Sequence, residues 1–111
     1  MYEEKIRKED ENMAKGVIYI MTTIVPSLIK IGKAETDNFE RRMYTLENRG
    51  YLKRRFAIEV ENCDEKETLL YKIFSRSRVP DTELFALDVD IAVQLLSSFE
   101  GRQIFPKTET K

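Results

Sequence analysis

The order of patterns along the chain predicts an α+β fold, a small three-stranded antiparallel sheet flanked by helices. Two β-branched, apolar segments, 17–22 and 28–33, lie on either side of a Val25-Pro26-Ser27 break, and such a pair reads as a hairpin. A third alternating segment follows, and the stretches around it carry apolar residues at helical spacing. Hairpin, helix, strand and then two helices is the pattern of a sheet that buries its apolar face under helices.

The 111 residues support one domain with one modest core. A chain that is 41% hydrophobic and 35% charged is neither disordered nor fibrous in character. No apolar run approaches the roughly 20 residues needed to span a bilayer. The charged N-terminus lacks the apolar centre of a secretory signal, so the expected location is cytoplasmic. Cys63 is the single cysteine and there is no histidine, which excludes an internal disulfide and argues against zinc. Residues 1–14 read as a frayed helix or flexible tail, 15–100 as a single domain, and 101–111 as a C-terminal tail packed through Ile104 and Phe105.

In the hairpin, period-two alternation sets Ile18 and Ile20 on one face with Ile29 and Ile31. Tyr19 and Lys30 then share the opposite face, away from the main core and within reach of a substrate. Asp37 is the expected N-cap of a helix through about Asn48, with Gly50 as its stop signal. Phe39, Met43 and Leu46 form its buried stripe. Arg42 projects from the edge of that stripe and Arg41 points the other way. The third strand, 55–61, alternates Phe56, Ile58 and Val60 with Ala57, Glu59 and Glu61. Asp64 is the expected cap of a second helix to about Ser75, burying Leu69, Leu70, Ile73 and Phe74. A loop through Pro80 and Asp81 leads to a short extended stretch, 83–87. Asp88 caps a last helix with Ala92, Leu95, Leu96 and Phe99 on one side, and Gly101 ends it.

The net charge of -1 gives no global sign of a nucleic-acid partner. Positive charge is clustered all the same. Arg41, Arg42, Arg49, Lys53, Arg54 and Arg55 fall close together, and Arg76 and Arg78 form a second group. They are candidate DNA-binding residues, and the alternative is that they are solvated helix faces.

Val17-Ile18-Tyr19 and Lys30-Ile31-Gly32, separated by ten residues and followed by Phe39-Glu40-Arg41-Arg42-Met43, resemble the hallmark of the GIY-YIG nuclease family. Lys30 stands where typical members carry the second tyrosine, and a phage-associated branch of the family is similar to this chain there. The likeness covers roughly 16–88. It implies a divalent-metal-dependent DNA endonuclease that hydrolyses phosphodiester bonds, or a binding module of the same fold that has lost cleavage. A protein-interaction domain built on the same sheet is the third reading.

By that resemblance Tyr19 is the tyrosine near the nucleophile and Arg42 the helix arginine at the phosphate, with Lys30 and Lys33 as further catalytic-site cations. Arginine suits that role because its guanidinium grips phosphate oxygens in pairs. Gly32 is expected to let the chain leave the strand and approach substrate closely. The resemblance also implies Mg²⁺ or Mn²⁺ held by glutamate. Tyr71 occupies the place of the typical glutamate, which leaves Glu67, one turn earlier, and Glu83 as the candidate ligands. DNA is the expected partner, and a homodimer would be a simple route to cutting both strands.

Overall fold

The computed structural model describes residues 15–107; the expected N-terminal helix or tail at 1–14 lies outside the described residues. The elements run β1 (Gly16–Thr22), β2 (Ile29–Ala34), α1 (Phe39–Glu47), β3 (Lys53–Val60), α2 (Cys63–Ile73), β4 (Leu84–Phe85), α3 (Val89–Leu96) and β5 (Arg102–Phe105). The α+β class matches the expectation, but the sheet has five strands in the order β4-β2-β1-β3-β5, all neighbours antiparallel. The three expected strands are its centre. The two additions are short edge strands. β4 forms within the stretch read as extended, and β5 within the segment read as a tail.

β5 pairs Ala57 with Phe105 and Glu59 with Arg102. Gly101 allows this: a Cβ there would sit 2.3 Å from the Glu59 carbonyl oxygen. It does not stop the last helix as expected, since that helix ends at Leu96 with Ser97 as its C-cap; it lets the returning chain press against β3.

Both faces of the sheet are covered. Ile18, Ile20, Ile29, Ile31, Phe56, Ile58 and Val60 meet Leu70 of α2 and Ala92 and Leu96 of α3 in the larger core. Val17, Tyr19, Met21 and Ala57 meet Phe39, Met43 and Leu46 of α1 in a second. Each buried aliphatic side chain contributes about 1.5–3 kcal/mol, so the second layer is a substantial part of the fold. Alternation in β1 therefore marks two cores: all residues from Gly16 to Met21 are buried.

Several boundaries and caps differ from expectation. Thr36–Asn38 forms a 3₁₀ turn ahead of α1, so Asp37 lies in that turn and does not cap the helix. The third strand starts earlier, at Lys53, because Arg54 pairs with Met21 across a bulge. Asn62, in the left-handed conformation, precedes α2, and Asp64 lies in the first turn instead of capping it. α2 ends at Ile73 and gives way to a 3₁₀ turn, Ser75–Ser77. Only Leu70 of the four expected core residues on α2 is fully buried; Phe74 is partly buried, while Leu69 and Ile73 are exposed. Asp88 does cap α3, accepting from the Asp90 backbone N–H at 2.7 Å. Among the described residues no helix is long and apolar enough to cross a membrane.

Candidate active site at the edge of the second strand

Register places the site. Tyr19 lies directly opposite Gly32, and Met21 opposite Lys30. Opposed residues share a face, so Tyr19, Gly32 and Lys30 are on one side, as expected. That side is not open, however. α1 covers it, and the Tyr19 ring is 1% exposed, 6.4 Å from the Phe39 ring centroid.

Gly32 resolves this. A Cβ at position 32 would lie 2.6 Å from the Tyr19 hydroxyl and 2.7 Å from its Cζ, so the phenol passes directly over the glycine. The glycine sits within β2 and does not turn the chain out of it; what it provides is space for the ring. The hydroxyl finds no partner among the described residues, yet no buried polar side-chain atom is left unsatisfied. Its tip therefore keeps a slight contact with solvent, while the residue as a whole stays in the core.

β4 pairs with Ile29 and Lys30, and beyond the Ile31 N–H, which donates to the Glu83 carbonyl at 3.1 Å, the β2 edge has no strand neighbour among the described residues. α2 supplies what gathers there. Tyr71 donates from its hydroxyl to the Ile31 carbonyl oxygen at 2.8 Å and stacks edge-on against Phe85, with centroids 5.0 Å apart. Glu67 lies one turn earlier on the same helix, its side chain 17% exposed. Lys33 reaches across from β2, with its Nζ 2.6 Å from Asp64 Oδ1 and 3.7 Å from Glu67 Oε1. Lys30, 15% exposed, donates to Glu83 and forms an ion pair with it. It acts as a brace for a carboxylate, since its charge is already matched. Arg42 is exposed on α1 with no ion-pair partner among the described residues.

Burial pushes the Tyr19 phenol up to about 12, the Arg42 charge opposing the shift and the Glu83 and Glu67 charges adding to it. Burial likewise raises Tyr71, with Glu83, Glu67 and Tyr19 adding to the rise and Arg78 opposing it. Glu67 is held above the usual carboxylate range by burial, against the pull of Lys33 and with the help of Glu83. These mutual influences draw Tyr19, Tyr71, Arg42, Glu67 and Glu83 into one electrostatic neighbourhood. Both phenols stay protonated at neutral pH and serve as neutral donors. Glu67, reluctant to stand as a bare anion, is poised to accept a proton or a cation.

The basic cluster separates in three dimensions. Arg54 is saturated: it makes a double hydrogen bond to Glu47 at 3.0 and 3.1 Å, reaches Glu40 at 3.2 Å, and lies 5.8 and 5.5 Å from the Phe39 and Phe105 ring centroids. It fastens α1 and β5 to the sheet and is not available to phosphate. Arg55 pairs with Asp90 at 3.2 Å, on the α3 side. Arg78 lies 4.8 Å over the Tyr71 ring and donates to the Thr82 carbonyl at 2.7 Å, so it joins the site from behind. Arg76 and Lys53 are exposed, in the turn after α2 and at the start of β3, outside this group. Arg41, Arg42 and Arg49, on or just beyond α1, have no ion-pair partner among the described residues. Tyr71 is the site residue that sequence reasoning missed; its i, i+4 spacing from Glu67 was the available signal.

Among the described residues no group of three His, Cys, Asp or Glu side chains is arranged to hold a metal ion. Mg²⁺ asks for less than that, usually one or two carboxylates completed by water and substrate phosphate. Glu67 and Glu83 are the carboxylates such a set would draw on, each with a lysine against it, Lys33 and Lys30 respectively.

The family model of the T5orf172 domain matches residues 16–100. The chain belongs to the T5orf172 domain family. This is a phage-associated domain linked to GIY-YIG-like nucleases, which makes the chain a nuclease-like or DNA-binding domain. No curated protein and no solved structure matches the chain. The T5orf172 match spans β1 to α3 and so contains the whole site; β5 lies outside it.

Proposed function

We propose that this T5orf172 domain is a divalent-metal-dependent DNA endonuclease of the GIY-YIG type. The observation that carries the reading is the passage of the Tyr19 phenol over Gly32, which brings a core-anchored hydroxyl within electrostatic reach of Glu67, Glu83 and Arg42. Arg42 binds the non-bridging oxygens of the scissile phosphate, where charge grows in the transition state. The Tyr19 hydroxyl, kept protonated by burial, orients the attacking water by hydrogen bonding. Lys33 offsets the negative charge of Asp64 and Glu67, and Lys30 fixes Glu83. Mg²⁺ or Mn²⁺ at Glu67 and Glu83 would supply further charge neutralisation on the phosphate.

The reading is tested by incubating supercoiled plasmid with purified protein across Mg²⁺, Mn²⁺ and chelator. Metal-dependent appearance of nicked circles is expected. One observation favours the alternative of a binding module without cleavage: Glu83 is already paired with Lys30, which leaves Glu67 as the less committed carboxylate. DNA retention without nicking in either metal would select that alternative.

A further inference from the structure

Two residues along β2 from Gly32, the same sheet face opens into a groove beyond the end of α1. Its volume is about 360 Å³, within the range of roughly 300–1,000 Å³ usual for small-ligand sites. Ile24, Val25, Leu28 and Leu84 give it apolar walls, and Tyr51 stands at its side. Ile24 is 79%, Val25 50% and Tyr51 51% exposed, so three large apolar side chains meet water at one place. Gly50, with φ of +89°, makes the left-handed turn that sets Tyr51 there.

Arg49 is the cation that this groove has to offer, because Lys30, which also lines it, is paired with Glu83. Among the described residues no acidic side chain lines the groove itself. Glu40 and Glu47, the two acids of α1, are both turned to Arg54, which leaves Arg42 and Arg49 without an acidic partner among the described residues. These two arginines are seven residues apart, about two turns or roughly 10 Å along a helical path. Arg42 belongs to the site and Arg49 to the groove, while Lys30 touches both.

We propose that the groove is a subsite for an unpaired nucleotide of the DNA, its base stacked on Tyr51 among Ile24, Val25 and Leu28 and its phosphate held by Arg49. An aromatic face with apolar walls and an arginine at the rim suits a base that carries a phosphate, because every base has a π-face and every link an anion. A base still paired in a duplex cannot enter. The subsite therefore favours DNA with a single-stranded segment next to the cleavage point. This inference rests on the reading of the site as one that acts on DNA.

The test is equilibrium binding of a labelled blunt duplex and of the same duplex carrying a short single-stranded overhang, in Ca²⁺ to suppress cleavage. Wild type is expected to bind the overhang form about tenfold more tightly. Tyr51→Ala should erase that gain and leave blunt-duplex affinity unchanged, and Tyr51→Phe should keep it. Ile24→Ser should reduce it, and an unchanged circular-dichroism melt verifies the fold of each variant. Equal binding of the two forms by wild type, or an equal loss on both in Tyr51→Ala, overturns the subsite and leaves the endonuclease reading standing. Failure to bind either DNA overturns the reading beneath it. A dimer in sedimentation that Tyr51→Ala dissociates also overturns the subsite, by assigning the groove to a second copy of the chain.

Discussion

Replacing Gly32 by alanine isolates the device on which the site depends. The new Cβ would lie 2.6 Å from the Tyr19 hydroxyl, 2.7 Å from Cζ and 3.0 Å from Cε1, whereas ordinary contact begins near 3.4 Å. Retreat from 2.6 to 3.4 Å displaces the hydroxyl by about 0.8 Å. The ring has little freedom to retreat, since Phe39 and Met43 are packed on it and are themselves buried. Forcing a methyl into such a core costs about 1–3 kcal/mol, while alanine in a strand recovers roughly 0.5–1 kcal/mol over glycine. A net loss near 1 kcal/mol is expected, visible as a fall in Tm of about 4–8 °C for a domain of this size. Urea titration of Gly32→Ala, Tyr19→Leu and the double variant measures the coupling directly. Leucine ends short of the phenol tip, so the alanine should cost little or nothing on the Tyr19→Leu background. An equal cost on both backgrounds would show that Gly32 does not exist to pass the phenol, and the geometry of the site would lose its basis.

Arg54→Ala should destabilise the domain by about 1–2 kcal/mol in thermal melts, mostly through the Glu47 pair and ring contacts, because Glu40 is largely in water. It should leave the salt dependence of DNA binding unchanged, whereas charge reversal at Arg42 and Arg49 should flatten that slope, each lost phosphate contact lowering it by about one. Glu67, held above its usual range mainly by burial, favours the native state only while protonated, so its contribution fades as pH rises through its folded value. Glu67→Gln should accordingly raise Tm at neutral pH and bring little gain below pH ~4. Glu47 and Glu59 are lowered, chiefly by their hydrogen bonds to Arg54 and Thr36, and act in the opposite sense: their stabilisation is present above pH ~4.5 and lost on acidification. Burial drives the Cys63 thiol up to about 11, so a thiol-specific reagent should label it slowly at pH 8 in the native state and rapidly in urea.

The hairpin, the Phe39-Met43-Leu46 stripe, the Asp88 cap and the shared face of Tyr19 and Lys30 were legible because each is a local matter of period or cap chemistry. The edge strands were not. Leu84 and Phe85 are too few to show alternation, and Arg102–Phe105 becomes a strand only because β3 offers it an open edge. Local pattern also could not show that α1 covers the face bearing Tyr19. Phe39, Met43 and Leu46 declare an apolar stripe without saying which side of the sheet receives it. The same limit applies to charge: Lys53, Arg54 and Arg55 are neighbours in sequence, yet Arg54 joins α1 and Arg55 meets α3 on the other side. Gly32 was read as important for the wrong reason, since its role depends on a ring thirteen residues earlier in the chain. Glu83 enters through resemblance, and its ion pair with Lys30 joins residues 53 positions apart, which no local pattern shows.

The most direct test of the nuclease reading is the single-turnover rate of plasmid nicking in Mn²⁺ by wild type, Arg42→Ala and Tyr19→Phe, with Arg76→Ala as a surface control. Loss of the charge at the phosphate should slow Arg42→Ala by about a hundredfold or more. Tyr19→Phe, which keeps the ring and loses only the hydroxyl, should be strongly impaired without a change in Tm, and Arg76→Ala should match wild type. Nicking that survives undiminished in both Arg42→Ala and Tyr19→Phe would contradict the account.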